Sequence, residues 1–365
     1  MACTEGVWVG DRQIDTGDCS GPQSARRVLA QPSVMTAVLE TARGGILREG
    51  CGFDACDVAV VTNIASGDHL GLHEIDTPEQ LAWVKGAIVA AVRSSGTAVL
   101  NAADPLVVEM KKWCRGRVVY FALDPEHPVI TAHLADGGFA ATIRDGWMVL
   151  RDGPRETRLA SLARVPLVHG GMVAFQVENA LAAAAAAWSL GVPLELVRLG
   201  LEDFSSGALG SPGRFNLLDL DGATVVVDYG HNVPSLEQIC RTLETLPHPR
   251  RTAVYSAAGD RRDEDLLRQG ELLGSTFNRV VIYEDAYRRG RSPGEITQLI
   301  TTGITRVEPS GRRAVVEPGG DWATAAARVL DSVQPGDLVL LQPDTIDQTM
   351  PWLKERYGDR LQGIG

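Results

Sequence analysis

Acidic, imidazole and amine side chains recur near the ends of successive apolar runs. Glu40 closes "VMTAVLE", Asp68 and His69 follow "DVAVVTN", and Lys85 lies inside "LAWVKGAIVAAV". Carboxylate and imidazole are reasonable ligands for Mg²⁺ or Mn²⁺ when phosphate oxygens complete the shell. A lysine among apolar residues needs a partner, or its pKa falls. A neutral amine there can react with CO₂ and become an anionic carbamate able to bind metal. The plain alternative is a stem lying on apolar surface with its ammonium in water. The stretch "LETARGGILREG" (39–50) adds Arg43, Gly44, Gly45 and Arg48 to Glu40. It reads either as an ordinary strand-to-helix connection or as a metal and phosphate site at a sheet edge.

Further along stand "QVENALAAAAAA", "PGRFN" and "VVVDYGHN". Asn179 sits early on an alanine-rich helix, where its amide can read a base edge. Arg214 lies at a domain joint, within reach of a phosphate. Asp228 ends a strand, with His231 and Asn232 just beyond, a position suited to ribose or phosphate contacts. Helix packing, linker charge and turn formation are the competing explanations.

These residues need a scaffold. Segments 34–40, 57–63, 96–101 and 117–123 read as short buried strands. A helix is expected over 77–96, with Thr77 as cap, Pro78 in its first turn and Gly96 after its end. Strand–helix–strand alternation implies a parallel sheet covered by helices. Residues 129–169 carry repeated D-G turns and read as a small antiparallel insertion. A helix follows at 171–191, then a Gly/Ser/Pro-rich linker at 204–214. Beyond it, strands at 223–230, 251–259, 279–285 and 337–343 alternate with helices near 234–246, 262–275, 293–303, 320–333 and 347–356. The expectation is two α/β domains, 1–207 and 208–365, the second doubly wound and Rossmann-like.

Composition narrows the partners. The 365 residues carry a net charge of −11, which repels nucleic acid and anionic membranes. The longest apolar run, "ALAAAAAAW", is too short to span a bilayer. The six cysteines lack a zinc-like pattern and read as free thiols in a reducing cytoplasm.

Taken in order, "ETARGGILREG", "TNIASGDHLG", "VKGAIVAAV", "NAADP", "AFQVENALAA", "PGRFN", "DYGHN", "GDRRDED" and "YEDAYRRGRSPGE" resemble the carboxyl-terminal, Mur-ligase-like part of cyanophycin synthetases. The resemblance implies an α/β fold: a truncated Mur-ligase central parallel-sheet domain with a small antiparallel insertion, then a Rossmann-like domain. It implies ATP and Mg²⁺ as cofactors. Glu40 and His69 would hold Mg²⁺ near the transferred phosphate, and Lys85 would be the carbamylated lysine. Asn179 would lie on the adenine side, with Arg214, Asp228, His231 and Asn232 at the nucleotide. The loop 283–295 would recognise the added amino acid. There Glu284 and Asp285 would pair with a guanidinium, and Arg289 and Arg291 with the α-carboxylate. The implied reaction adds arginine to the β-carboxyl of aspartate in a peptide acceptor through an acyl phosphate.

The chain contains no G-x-x-x-x-G-K-[ST] loop. Such a loop cradles phosphates with backbone N–H groups and a lysine. The expectation is therefore a ligase completed by a partner chain carrying that loop; the other partner expected is a second copy of the chain in a homo-oligomer. A non-catalytic nucleotide- or peptide-binding remnant, or a scaffold for a full-length synthetase, is the alternative. A nicotinamide-dependent oxidoreductase is disfavoured, because no G-x-G-x-x-G opens a helix after a strand.

Overall fold

The computed structural model describes residues 1–66, 70–204, 212–246, 248–284, 288–307, 314–343 and 345–363. The chain divides into two compact units. One comprises Met1–Gly67, His73–Ser161 and Glu178–Leu199; the other comprises Asp68–Leu72, Leu162–Val177 and Gly200–Gly365.

The first unit begins with β1 (Ala2–Cys3), β2 (Gly6–Val9) and β3 (Arg12–Thr16), a small antiparallel sheet, followed by α1 (Pro22–Leu29) and α2 (Arg43–Glu49). Next come β4 (Cys56–Val61), α3 (Pro78–Ala90), β5 (Val92–Asn101), α4 (Pro105–Val108), β6 (Arg117–Phe121) and α5 (Pro128–Ala135). Then β7 (Phe139–Arg144), β8 (Trp147–Asp152) and β9 (Arg155–Ser161) lead to α6 (Ala174–Ser189) and α7 (Leu194–Asp203). Strands β4 to β9 form one six-stranded sheet in sequential order. β4 to β7 run parallel and β7 to β9 form an antiparallel meander. The meander therefore extends the parallel sheet, its D-G turns joining the strands as expected. The run "PVITAHLA" ahead of it is helix α5, with Pro128 in its first turn and the His127 ring accepting from Val129 N–H.

Helix α3 starts at Thr77 as expected but ends at Ala90, not before Gly96, which lies inside β5 where the chain has already joined the sheet; its start is a capping box. Thr77 accepts from Gln80 N–H, and the Gln80 side chain accepts from Thr77 N–H. Gly86 on this helix has a packing reason: a Cβ there would lie 2.3 Å from the Trp113 ring.

Residues 34–40 differ from expectation. They form no strand of the six-stranded sheet; Leu39 alone makes an isolated parallel bridge, to Ala2. Met35 is 99% exposed and Val38 62% exposed. Apolar alternation there earned no ladder, because the segment lies against the small β1–β3 sheet, where Val34, Ala37 and Leu39 pack on Ala2, Val7 and Val28.

The second unit contains β10 (Asn216–Leu220), β11 (Ala223–Val227), α8 (Val233–Glu244), β12 (Arg250–Tyr255), α9 (Asp263–Thr276) and β13 (Arg279–Ile282). It continues with α10 (Glu295–Arg306), β14 (Val315–Pro318), α11 (Trp322–Leu330), β15 (Asp337–Leu341), α12 (Ile346–Tyr357) and β16 (Leu361–Gly363). The sheet order is β14-β13-β12-β15-β11-β10-β16. The first five in that order are parallel, and β10 and β16 are antiparallel additions.

Period-two alternation divides the side chains between two faces. Val226, Ala253, Tyr255, Val280, Ile282, Leu338 and Leu340 pack under α8, α9 and α10. Val225, Val227, Val254, Val281, Val339 and Leu341 pack under α11 and α12. Strands β11, β12, β13 and β15 are buried on both sides, which explains their near-continuous apolar runs in the sequence. Adjacent strands β12 and β15 feed helices on opposite faces: α9 belongs to the first cluster and α12 to the second. The carboxyl ends of these two strands therefore flank a topological switch point, where open α/β sheets hold ligands.

Candidate functional site

In the first unit the site is built at the carboxyl end of β4. Lys85 is partly buried on α3, and its Nζ donates to the carbonyl of Asn63 at 3.4 Å. The loop after β4 is held by Asp104, which is 9% exposed. Its Oδ2 accepts from Ile64 N–H at 2.6 Å and Ala65 N–H at 2.8 Å, while Oδ1 accepts from Leu106 and Val107 N–H at the start of α4. One carboxylate thus anchors the loop that continues towards Asp68 and His69. Both of those residues lie outside the described residues.

Glu40 is exposed and follows the Leu39 bridge. Its carboxylate accepts from the Thr4 backbone N–H at 2.7 Å and the Thr4 hydroxyl at 2.9 Å. The neighbouring glycine pair is shaped by packing: a Cβ on Gly45 would lie 2.7 Å from Pro22 Cδ. Asn179 lies on the exposed side of α6. Beside it, Glu178 is bonded to the buried Asn101 at the end of β5, and burial raises its pKa. Among the described residues no group of three or more His, Cys, Asp or Glu side chains is placed to hold a metal ion.

The second unit brings its expected residues closer together. Asp228 follows β11, and burial pushes its pKa up to about 6. Opposing that shift, its carboxylate accepts from Gly230 N–H at 2.6 Å and from the Phe215 backbone, with the Arg214 charge nearby. The "PGRFN" turn is locked against it: Tyr229 N–H donates to the Gly213 carbonyl at 2.9 Å, and Gly213 N–H to Asn216 Oδ1 at 2.6 Å. His231 stacks edge-on against Tyr229, with its Nδ1 3.0 Å from the Tyr229 carbonyl. Asn232 caps α8 by accepting from Ser235 N–H.

The loop after β13 shows a division of labour. Glu284 accepts from Gly294 N–H at 2.7 Å, closing the loop, while Asp285 lies outside the described residues. Arg291 has a side chain 14% exposed and donates to the carbonyls of Gly259 and Arg261 and to Glu295, with Asp263 at 2.8 Å. Its guanidinium thus ties two loops together. Arg289, by contrast, is paired with Asp260 at 2.8 Å and lines a crevice at the switch point.

That crevice is lined by Tyr229, His231, Ser256, Ala257, Ala258, Tyr283, Arg289, Gln342 and Pro343. Ser256 and Gln342 are not among the expected site residues, and Tyr283 is expected only as the first residue of the 283–295 loop. Ser256, Tyr283 and Gln342 are the first residues past β12, β13 and β15, respectively, so the strand-end rule applied to Asp228 would have found them. The arrangement offers a cation on an exposed loop, an imidazole, and neutral hydrogen-bonding groups on a rigid floor, suited to a small zwitterion or a phosphate ester.

Two family models match the chain. Residues 1–187 match the Mur ligase middle domain, and residues 213–345 match the Mur ligase glutamate ligase domain. The chain is 40% identical over 353 residues to a cyanophycin synthetase of Synechocystis sp.; the match covers 97% of this chain and 40% of that protein. It is 32% identical over 296 residues to a UDP-N-acetylmuramoyl-L-alanyl-D-glutamate--2,6-diaminopimelate ligase of Synechococcus elongatus, covering 80% of this chain and 53% of that protein. The chain thus spans about 40% of the length of the cyanophycin synthetases it matches. In fold it is similar to E. coli FolC solved with ADP, with a TM-score of 0.61, 17% identity, and coverage of 97% of this chain and 80% of that one. A pseudomurein peptide ligase type C from Methanothermus fervidus gives a TM-score of 0.59 at 16% identity, covering 87% and 67%.

Proposed function

The chain belongs to the Mur ligase family, and on that premise we propose that it is the amide-forming module of an ATP-dependent ligase of the cyanophycin synthetase type. ATP phosphorylates the β-carboxyl of an aspartate in a peptide acceptor. The α-amino group of arginine then displaces phosphate from the acyl phosphate and an amide forms. The observation that carries this reading is the 40% identity to a cyanophycin synthetase along 97% of the chain.

The residues fit the substrates by chemical type. Glu40 presents an exposed carboxylate, the hard oxygen donor that Mg²⁺ takes. With His69 it would hold the ion, which when bound neutralises charge on the transferring phosphoryl group. Lys85, supported on the Asn63 carbonyl, stands at the carboxyl end of β4. Asn179 serves the base, and Arg214, Asp228, His231 and Asn232 serve ribose and phosphates, the last by fixing the start of α8. The switch-point crevice takes the added amino acid, with Arg289 at its α-carboxylate and Glu284 and Asp285 towards its guanidinium. Arg291 shapes the loop that carries them. Residues 1–207 and 208–365 are the two working domains, and a partner chain supplies the Gly-rich phosphate loop.

The test is ligation of labelled arginine to an aspartyl-peptide acceptor. The chain alone gives little turnover. Co-expressed with a polypeptide carrying a Gly-rich phosphate loop, it becomes active, and Lys85→Ala or His69→Ala lowers the rate by on the order of a hundredfold or more. Full activity in both variants would remove the metal-site assignment. An inactive mixture whose chain still binds nucleotide or peptide would favour the binding-remnant reading.

A further inference from the structure

One polar group in the switch-point crevice has no use in the fold. Ser256 is 3% exposed and lines the crevice, and its Oγ has no hydrogen-bond partner among the described residues. Its neighbours are committed elsewhere. Gln342 Oε1 accepts from Ser256 N–H at 3.1 Å and from the Tyr283 hydroxyl at 3.2 Å, and Gln342 Nε2 donates to the Pro343 carbonyl at 2.9 Å. Gln342 is thereby pinned as wall. A buried hydroxyl left unbonded costs free energy that alanine in its place would not. Its presence makes physical sense when a ligand completes it.

We propose that Ser256 is a specificity-determining residue whose hydroxyl accepts a hydrogen bond from the α-amino group of the amino acid bound in the crevice. This rests on the reading above that the crevice takes the added amino acid. Charge orients that ligand: Arg289 on the crevice rim, held by Asp260 at 2.8 Å, is the cation that meets the carboxylate, which leaves the amino end for the neutral wall of Ser256, Tyr283 and Gln342. A hydroxyl suits an attacking amine better than a carboxylate would. It accepts the N–H without a negative charge that would keep the amine protonated and non-nucleophilic.

The experiment titrates L-arginine by calorimetry into the intact chain with a non-hydrolysable ATP analogue and Mg²⁺ present, for the unaltered protein and for Ser256→Ala. A parallel titration uses 5-guanidinopentanoate, which is arginine without its α-amino group. Ser256→Ala binds arginine about tenfold more weakly, both proteins bind the deamino analogue equally, and the ligand-free melting temperature of the variant is unchanged or a few degrees higher. Equal arginine affinity in the two proteins would overturn the role of Ser256 while leaving the crevice assignment standing. Absence of arginine binding by the unaltered protein would overturn the crevice assignment itself. A lower melting temperature with both ligands weakened would make Ser256 a structural residue and end the proposal.

Discussion

The two units hold their candidate residues in different ways. In the second, several short-range contacts converge: Asp228 on the Phe215 and Gly230 backbone, Tyr229 on Gly213, and Arg291 on two carbonyls and two carboxylates. In the first, the loop after β4 hangs largely on one side chain, Asp104, while Glu40 is held separately by Thr4. A site knit by many contacts tolerates the loss of one. A loop whose backbone N–H groups rest, among the described residues, mainly on one carboxylate does not, since four of them lose their acceptor together.

The largest effect is therefore expected in the first unit. Asp104→Ala should destabilise that unit by about 4 kcal/mol, read as a lower urea midpoint, with hydrogen exchange at Ile64 and Ala65 accelerated beyond the global change. A loss below about 1 kcal/mol would mean the loop has other supports and would erase the contrast.

The second unit carries a smaller, pH-dependent cost. Burial holds the Asp228 carboxyl at about 6, above its ordinary value of 3.8. The folded chain therefore binds a proton that the unfolded chain has released between those two pH values. Stability falls as pH rises through that window, by about 3 kcal/mol in all. Asp228→Asn removes the dependence: relative to the variant, the native protein should be more stable at pH 4 than at pH 7. Parallel stability curves for the two proteins would show that the carboxylate is better solvated than its burial implies.

The same contrast explains what the sequence could reveal. The start of helix α3 is readable because Thr77 and Pro78 encode it locally, and the β7–β9 meander because D-G pairs mark its turns. Segment 34–40 was misread because alternation says nothing about which sheet a segment meets. Residues 128–135 were misread because Val129, Ile130 and Thr131 look like strand while Pro128 and His127 start a helix. Arg214 stands out in the sequence because it closes the Gly/Ser/Pro-rich stretch 204–214, and Asp228 because it ends an apolar run. Ser256 and Gln342, which are 86 residues apart, become neighbours only once β12 and β15 are known to be adjacent. Asp104 reads as a helix cap in sequence; its second task, holding Ile64 and Ala65, appears only in three dimensions.

The central claim, that this chain forms amides through an acyl phosphate, has a direct chemical test. An aspartyl-peptide acceptor labelled with ¹⁸O in its β-carboxylate is turned over with ATP, Mg²⁺ and arginine by the chain together with the polypeptide that supplies the phosphate loop. One labelled oxygen should appear in each released phosphate for each arginine joined. Phosphate released without the label while arginine is incorporated would contradict the account.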